Sequence, residues 1–235
     1  MGIIAIIPAR AGSKRIPGKN LKLLNGIPLI AWTLKTAVKA GIFDRVIVST
    51  EDKTIAQVAR QWEGEVPWLR SPHLATDSAD VTDALGEVLD NLARDKSTLP
   101  DAVMLLQPTS PFRKAEALRE AVRIFRASGE SVVSVRPAYP PLSWYRMMDE
   151  QGMLRPIPQL EAMASASPGQ SRPCVLNGSV YLASVDTLRR RRSLYSENTR
   201  GLLMESEIEN LDIDTPHDWL LAEAYLPQVL SGTWG

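Results

Sequence analysis

The sequence carries a basic, glycine-containing loop directly after a short apolar run at its N-terminus. This loop reads IPARAGSKRIPGKN and spans residues 7–20. Gly12 and Gly18 allow a close approach of the backbone, and free N–H groups in such a loop form a nest that binds anions. Arg10, Lys14, Arg15 and Lys19 would supply positive charge for a triphosphate. The loop matches neither the Walker A pattern nor G-x-G-x-x-G, so spacing alone leaves a phosphate site and a solvated basic turn both open.

A second candidate segment, LLQPTSPFR at residues 105–113, follows another apolar run. Its two prolines restrict the turn, so the Gln107 amide and the Thr109 and Ser110 hydroxyls would be held at the end of a strand. Such side chains could bind a polar substrate. An ordinary helix-capping turn explains the same residues equally well when the segment is taken alone.

A pair of acidic residues forms the third candidate, in the segment NLDIDTP at residues 210–216. In an extended segment Asp212 and Asp214 point to the same side, and two neighbouring carboxylates repel each other unless a cation offsets the repulsion. Hard oxygen ligands of this kind suit Mg²⁺, which completes its coordination shell with water and phosphate oxygens. A D-x-D triplet is also common by chance.

Alternating β-branched runs and helical segments predict the elements that position these three motifs. The pattern indicates a doubly wound, mostly parallel α/β sheet with right-handed crossovers, whose ligands sit beyond the carboxyl ends of the strands. Asp80, with Asp83 as its partner, predicts the start of another helix. The predicted strands cover residues 3–7, 46–49, 66–69, 103–106 and 132–135, and the predicted helices cover residues 28–40 and 115–127.

The periodicity fails between residues 136 and 173, where prolines accumulate together with aromatic residues and methionines. This content predicts an excursion from the sheet that packs against a partner, most simply a second copy of the chain. Beyond it, residues 179–183 are predicted as a strand, and Thr215 as the cap of a helix running to about Tyr225. One domain is expected over residues 1–235, with residues 136–173 as its dimerisation and acceptor-site arm.

The composition narrows the possible partners and location. The 27 basic and 27 acidic residues cancel, so no general attraction to nucleic acid or to an anionic membrane is expected. The basic run Arg189–Arg192 is interpreted as a solvated helix end. No apolar stretch approaches the roughly 18–20 residues that span a bilayer, the N-terminus lacks a signal-peptide pattern, and Cys174 is the only cysteine. A cytoplasmic protein is expected.

Five segments, taken together and in order, resemble the CMP-sialic acid synthetases, which are cytidylyltransferases of nonulosonic acids. The segments are IPARAGSKRIPGKN, LRSPHLATDSADV, LLQPTSPFRK, LNGSVYLA and LDIDTPHDW. The resemblance covers nearly the whole chain and implies a Rossmann-like sheet, a protruding dimerisation arm, a CTP site over the first strand's loop, and Mg²⁺ dependence. Further detail, such as VPWLRS and YSENT, resembles the bacterial branch that activates N,N′-diacetyllegionaminic acid. N-acetylneuraminic and pseudaminic acids remain alternative acceptors.

The resemblance also implies roles for individual residues. Catalytic roles fall on Arg10, Lys14, Asp212 and Asp214, and the last two also match the metal pair. The nucleotide-binding positions are Arg10, Ala11, Gly12, Lys14, Lys19, Asn20 and Arg70, and the expected acceptor contacts are Gln107, Thr109, Arg146, Arg172, Asn177 and Tyr181. Two positions depart from the family. Val81 stands where relatives often carry a hydroxyl near the base, and Ser143 where some carry a lysine for the sugar carboxylate, a role that Arg146 or Arg172 could take.

The implied reaction is attack of the sugar's anomeric 2-hydroxyl on the α-phosphorus of CTP, with pyrophosphate leaving. Positioning and charge stabilisation dominate such transfers. A nucleotide-sugar glycosyltransferase with a D-x-D metal site and a nucleotide-binding protein without catalysis are the competing hypotheses. Around the arm, Tyr139, Leu142, Trp144 and Met147 predict an apolar acceptor pocket that is poor in carboxylates and amides.

Overall fold

Strands and helices alternate along the chain in the computed structural model, which describes residues 1–164 and 172–233. In chain order the elements are β1 (Ile3–Pro8), β2 (Leu23–Leu24), β3 (Ile27–Pro28), α1 (Leu29–Ala40), β4 (Arg45–Ser49), α2 (Lys53–Gln61), α3 (Val81–Arg94), β5 (Ala102–Leu105), α4 (Ala115–Ser128), β6 (Val132–Pro137), β7 (Arg146–Met148), β8 (Leu154–Pro156), α5 (Pro158–Ala164), β9 (Cys174–Ser184), α6 (Val185–Arg191), β10 (Arg200–Leu203) and α7 (Pro216–Ser231).

The central sheet has six strands in the order β10-β6-β9-β5-β1-β4. Strand β1 pairs in parallel with both β4 and β5, and β10 pairs in parallel with β6. Strand β9 runs antiparallel between β5 and β6. The predicted mostly parallel sheet is therefore confirmed, and the carboxyl ends of β1, β4 and β5 meet at one edge.

Helices cover both faces of this sheet, as the predicted doubly wound arrangement requires. On one face, α1, α2 and α4 bury their apolar stripes against alternate residues of the strands, in a cluster that includes Leu34, Leu118 and Ile7. On the other face, α3 and α6 pack through Leu85, Leu89 and Leu188. Full burial of one such aliphatic side chain contributes about 1.5–3 kcal/mol.

The predicted helix ends follow from their capping residues. Helix α1 begins after Pro28 and ends at Gly41, whose φ of 63° suits a residue without a Cβ. The Asp80 carboxylate accepts a hydrogen bond from the Thr82 backbone N–H at the start of α3. Asp83 does not complete that cap, because its carboxylate pairs with Arg192 instead.

Residues 66–69 were predicted as a strand, and this prediction is wrong. Pairing with β4 stops at a single parallel bridge between Ile47 and Glu65. Pro67 cannot donate to a sheet, so the ladder does not continue past it. The Trp68 indole N–H instead donates to an Asp95 carboxylate oxygen at 3.1 Å.

Helix α7 starts at the predicted place and continues past the predicted end. Thr215 and Asp218 form a reciprocal capping box, and the helix then runs through Pro227 to Ser231. Leu226 and Val229 pack against the third apolar cluster, which contains Trp219 and Phe112, and this packing offsets the hydrogen bond that the proline removes. None of the helices in residues 1–164 and 172–233 combines the length and hydropathy needed to cross a membrane.

The excursion after β6 forms a small unit beside the sheet. Strands β7 and β8 pair with each other as a hairpin, while α5 contacts the short 3₁₀ helix Leu142–Trp144. The hairpin exposes large apolar side chains to solvent, Met147, Met148 and Leu154 among them. Residues 165–171 of the predicted arm lie outside the described residues.

Candidate functional site

Direct hydrogen bonds bring the three motifs together at the carboxyl edge of the sheet. The Lys19 ammonium donates to the Ile213 carbonyl at 2.7 Å and to the Asp214 carboxylate at 3.0 Å. The Ile213 backbone N–H donates to the Thr109 carbonyl at 2.7 Å. The basic loop, the proline-rich turn and the acidic pair therefore form one site, although 199 residues separate Arg15 from its ion-pair partner Asp214.

A cavity of about 290 Å³, here called the basic cavity, opens between the loop at residues 8–20 and the segment at residues 70–84. It contains five of the seven predicted nucleotide contacts. Lys14 lies in an adjoining depression with Arg15, and Ala11 holds the loop through its backbone. The side walls are made by Pro8, Arg10, Gly12, Ser13, Lys19, Asn20, Arg70, Leu74, Thr76, Asp77, Ala79, Asp80, Val81, Ala84, Gln107, Pro108, Thr109 and Asp214.

Asp77 is a functional candidate that the sequence reasoning missed. Its two carboxylate oxygens contact the Arg10 guanidinium and the Lys14 ammonium, each at 2.6 Å. Hydrogen bonds from Lys14 and from Arg10 lower the pKa of the Asp77 carboxyl. A carboxylate thus lies where two cations of the loop converge, which is the position that an incoming polyphosphate would compete for.

The basic loop is held in shape by its own polar contacts. The buried Asn20 amide donates to the Arg10 carbonyl at 2.9 Å and so joins the two ends of the loop. The Ala11 backbone N–H donates to the Glu51 carboxylate at 2.7 Å. Gly18 adopts a φ of 63° where the chain turns into the 3₁₀ helix Lys19–Leu21. The loop is preorganised, which reduces the entropy lost when an anion binds.

Arg70 forms the buried wall of the basic cavity. Its guanidinium donates to the Ser49 hydroxyl at 3.0 Å, to the Ser49 carbonyl, and to the Leu74 carbonyl at 3.4 Å. Burial lowers the pKa of Arg70, and the nearby Glu51 and Glu87 carboxylates act in the opposite direction. Because these donors already have protein partners, Arg70 shapes the cavity by tying the end of β4 to the following turn.

A second, larger cavity of about 760 Å³, here called the acidic cavity, lies on the other side of Gln107. It contains three predicted acceptor contacts, Gln107, Asn177 and Tyr181, whereas Thr109 faces the basic cavity. Its lining includes four carboxylates and three side-chain amides. The full set is Gln107, Arg136, Pro137, Tyr139, Leu176, Asn177, Gly178, Tyr181, Glu205, Glu207, Asn210, Leu211, Asp212, Asp218, Leu221 and Tyr225.

The residues expected to form an apolar acceptor pocket are only partly found in this cavity. Tyr139 does line the cavity, but Leu142, Trp144 and Met147 do not. The polar lining comes mainly from the segment before α7, which the chain reaches only after the arm and β9–β10. The sheet topology brings this later segment to the cavity.

Asn177 holds the lining of the acidic cavity in place through the hydrogen bonds of its side-chain amide. Its side-chain oxygen accepts hydrogen bonds from the Ser134 hydroxyl at 2.5 Å and the Ser179 backbone N–H at 3.1 Å. Its amide nitrogen donates to the Asn210 side-chain oxygen at 2.7 Å and contacts the Met204 sulfur at 3.0 Å. These bonds occupy the amide, so Asn177 positions the segment that carries Asp212.

Arg113 is a second residue that sequence reasoning did not single out. It is only 2% exposed, and its guanidinium donates to the Ser179 carbonyl at 3.1 Å, the Thr33 hydroxyl at 2.9 Å and the Gln107 carbonyl at 2.5 Å. Burial lowers the pKa of Arg113 to about 9, while the Asp212 carboxylate raises it. The group stays protonated at pH 7 and fixes the turn that presents Gln107.

Asp212 and Asp214 fit a divalent cation. Asp212 Oδ1 is buried and has no hydrogen-bond partner among residues 1–164 and 172–233. Burial raises the pKa of Asp212, a hydrogen bond from Thr109 lowers it, and the Asp214 charge raises it again. An unpaired buried oxygen beside a second carboxylate is a favourable place for Mg²⁺, which needs only one or two such ligands when phosphate oxygens complete its shell.

Gly178 lies in β9 between the acidic pair and the proline-rich turn. Its φ of 77° favours glycine, and a Cβ at this position would be in ordinary contact, at 3.7 Å, with both Asp212 Oδ2 and Gln107 Oε1. Gln107 and Asp212 are thus neighbours across the backbone of Gly178. Both cavities open at this point, since Gln107 lines each of them.

The two arginines expected to replace the missing lysine at the sugar carboxylate lie outside the acidic cavity. Arg146 is on β7, where its guanidinium donates to the Ser143 carbonyl at 2.7 Å and the Tyr145 carbonyl at 2.8 Å. Arg172 is exposed just before β9. Neither side chain is part of the acidic cavity's lining.

A family model and several known proteins match this chain in sequence, and these matches agree with one another. A family model described as cytidylyltransferase matches residues 4–152. The chain is 46% identical over 226 residues to the CMP-N,N′-diacetyllegionaminic acid synthase of Legionella pneumophila subsp. pneumophila, a match that covers 95% of each protein. It is 29% identical over 225 residues to the N-acylneuraminate cytidylyltransferase of Streptococcus agalactiae serotype V, and spans 51% of that longer protein.

A solved structure shares the fold. It is that of CMP:2-keto-3-deoxy-manno-octonic acid synthetase complexed with CTP, with a TM-score of 0.69 over 97% of this chain and 99% of that one. The sequence identity is 18%, so this likeness concerns the architecture. It agrees with the predicted Rossmann-like sheet.

Proposed function

The chain belongs to the cytidylyltransferase family, and from this premise we propose that it transfers CMP from CTP to a nonulosonic acid and releases pyrophosphate. The observation that carries the proposal is the junction of two cavities of different charge at Gln107 and the Asp212–Asp214 segment. A nucleotide in one cavity and a sugar in the other would meet at that junction.

The basic cavity suits the triphosphate of CTP. Five cations surround it and its adjoining depression, namely Arg10, Lys14, Arg15, Lys19 and Arg70, while Asp77, Asp80 and Asp214 are the opposing carboxylates. A polyphosphate would displace Asp77 from Arg10 and Lys14, because it carries more charge and more acceptor oxygens than one carboxylate. These cations would also offset the charge that develops on the leaving pyrophosphate.

In the reaction, the anomeric 2-hydroxyl oxygen of the sugar releases its proton to solvent and forms a bond to the α-phosphorus of CTP, while the bond from that phosphorus to the pyrophosphate oxygen breaks. Gln107 and Asp212 lie where the hydroxyl would arrive from the acidic cavity. Asp212 and Asp214 would hold Mg²⁺, which, when bound, supplies positive charge to phosphate oxygens and lowers the pKa of a bound hydroxyl. Arg113 keeps the Gln107 turn in place throughout.

We propose N,N′-diacetyllegionaminic acid as the preferred acceptor. The high identity to the Legionella enzyme supports this choice over the neuraminate and pseudaminate alternatives. The chemistry of the acidic cavity supports it as well. Two acetamido groups offer two N–H donors, and Glu205, Glu207 and Asn210 offer acceptors, while Leu221 and Tyr225 provide apolar surface for a methyl group at C9.

The first prediction is that pyrophosphate release requires CTP, Mg²⁺ and a nonulosonic acid together. A coupled pyrophosphate assay with each component omitted in turn tests this requirement. ATP, GTP and UTP serve as nucleotide controls. Transfer of a sugar from a preformed nucleotide sugar, without pyrophosphate, would instead identify a glycosyltransferase, and CTP binding without turnover would identify a non-catalytic nucleotide-binding protein.

The second prediction concerns the acceptor. N,N′-diacetyllegionaminic acid is expected to exceed N-acetylneuraminic acid by at least about tenfold in kcat/KM, which corresponds to about 1.4 kcal/mol of transition-state binding. The reason is that hydroxyls at C7 and C9 of the neuraminic acid would replace an acetamido N–H donor and a methyl group. Side-by-side kinetics with both sugars and pseudaminic acid provide the measurement. Equal or better use of N-acetylneuraminic acid would contradict this assignment.

The third prediction is that the arm joins two copies of the chain. We propose its exposed apolar side chains, Trp144, Met147, Met148 and Leu154, as the contact surface, because such a patch is costly to leave in water. Multi-angle light scattering at micromolar concentration should give twice the 25.9 kDa of one chain. Met147→Lys with Met148→Lys should shift the protein toward the monomer, and a wild-type monomer would count against the proposal.

A cytoplasmic location stays a prediction.

A further inference from the structure

Arg136, at the end of β6, is a cation in an otherwise acidic cavity. Its side chain is half-buried and lines the acidic cavity. Among the lining residues it is the only lysine, arginine or histidine, whereas Glu205, Glu207, Asp212 and Asp218 contribute four carboxylates. Within the described ranges, residues 1–164 and 172–233, its guanidinium makes neither a hydrogen bond nor an ion pair within 4.0 Å.

An unpaired, half-buried guanidinium is unusual, because it loses part of its hydration without gaining a protein partner. The position is also well defined by the backbone. Arg136 is opposite Val175 in the β6–β9 ladder, and two residues later the Ala138 N–H donates to the Pro173 carbonyl at 3.0 Å. A charged group on a paired strand is held in place more firmly than one on a loop.

The charged side chains that line the acidic cavity are mainly negative, so an acidic ligand needs a cation such as Arg136 in order to bind there. A sugar acid that enters beside four carboxylates meets repulsion unless a positive group faces its own carboxylate. A guanidinium suits that task because its planar donors match the two oxygens of a carboxylate. The loop cations Arg10, Lys14 and Lys19 lie on the side of the basic cavity, where the triphosphate needs them.

We propose that Arg136 binds the carboxylate of the acceptor acid, an assignment that rests on the proposed function. Arg136 would take the role expected of the lysine that some relatives carry at the position of Ser143, from the central sheet instead. It also removes the need for Arg146, whose guanidinium donates to the Ser143 and Tyr145 carbonyls just before β7. Arg136 is then a specificity residue that selects an acid over an uncharged sugar of the same shape.

The test compares the acceptor acid with its C1 carboxamide, which keeps the size but removes the negative charge. The wild type is expected to prefer the acid by at least about 30-fold in kcat/KM, because a charge-assisted bidentate contact is lost with the carboxamide. In Arg136→Gln this ratio should fall to near one, with KM for CTP unchanged. Arg136→Lys should retain part of the preference, and Arg146→Gln should retain all of it.

Several outcomes would overturn the assignment. If Arg136→Gln keeps the wild-type ratio of acid to carboxamide, the carboxylate is bound by another group. If Arg146→Gln instead lowers the ratio of acid to carboxamide to near one, Arg146 on the arm provides the cation. Unchanged thermal unfolding and CTP binding in Arg136→Gln show that the variant is folded, and Arg136→Lys provides a second folded form for the same comparison.

The proposed function and the role of Arg136 can fail separately. Absence of pyrophosphate release from the wild type with every nonulosonic acid would contradict the function. Calorimetric titration of the acid and its carboxamide, in the presence of α,β-methylene CTP, tests Arg136 without any turnover. Equal binding of the two compounds by the wild type, or binding of neither, would overturn the assignment to Arg136.

Discussion

Asp212→Asn and Asp214→Asn are each expected to slow pyrophosphate release by about 10²-fold or more, in line with a loss of several kcal/mol of charge stabilisation. Each substitution keeps the size of the side chain and removes a charge that we propose holds Mg²⁺. Asp212 is the sharper case, because its Oδ1 is buried without a partner in the described part of the chain. An amide there offers a much weaker ligand.

The two variants should differ in their effects on CTP. Asp214 is also paired with Lys19 at 3.0 Å and with Arg15 at 3.5 Å, so its loss should alter KM for CTP as well as kcat. Asp212 should act mainly on kcat. Initial rates at saturating acceptor, over a range of CTP and Mg²⁺ concentrations, separate the two effects.

Asp90→Asn is a matched control, because it removes a carboxylate from an exposed pair with Arg189. Such a pair contributes little to stability, so near wild-type rates are expected from this variant. Wild-type rates in both Asp212→Asn and Asp214→Asn would remove the acidic pair from the mechanism and leave the charge stabilisation to the basic loop.

Arg113→Met is expected to destabilise the protein by about 3–5 kcal/mol, because each of several buried acceptors left without a donor costs on the order of 1–3 kcal/mol. Methionine fills part of the volume but leaves the carbonyls of Ser179 and Gln107 and the Thr33 hydroxyl without their donor. For a chain of this size the loss corresponds to a decrease in Tm of about 6–20 °C. Arg113→Lys should fall between this variant and the wild type, because one ammonium cannot reach all three acceptors.

Thermal and urea unfolding at pH 7 provide the measurement. Arg123→Met is the matched control: Arg123 lies on the exposed side of α4 and pairs only with Glu120 among the partners that the structure describes. Its effect should stay within about 0.5 kcal/mol. A loss below about 1 kcal/mol in Arg113→Met would show that the buried network contributes little beyond the packing of the side chain.

Much of the architecture follows from short-range rules that the sequence displays. Gly41 ends α1 because a residue without a Cβ tolerates a positive φ, and Thr215 begins α7 because its side chain satisfies a free backbone N–H. Alternating apolar runs correctly predict β1, β5 and β6. The same rules fail at residues 66–69, where Pro67 interrupts the ladder, and at Pro227, where tertiary packing prolongs the helix.

The sequence by itself also determined the three chemical motifs, because a motif is defined by residue types and their order along the chain. Neither of these depends on distances between atoms in space. Only the tertiary structure decided how they are arranged. It placed Asp77 between Arg10 and Lys14, buried Arg113 behind Gln107, and brought Arg136 into the same cavity as Glu205. The physical reason is that caps and periodicity depend on neighbours within a few residues, whereas charge pairing and burial depend on distances that the sheet order sets between remote segments.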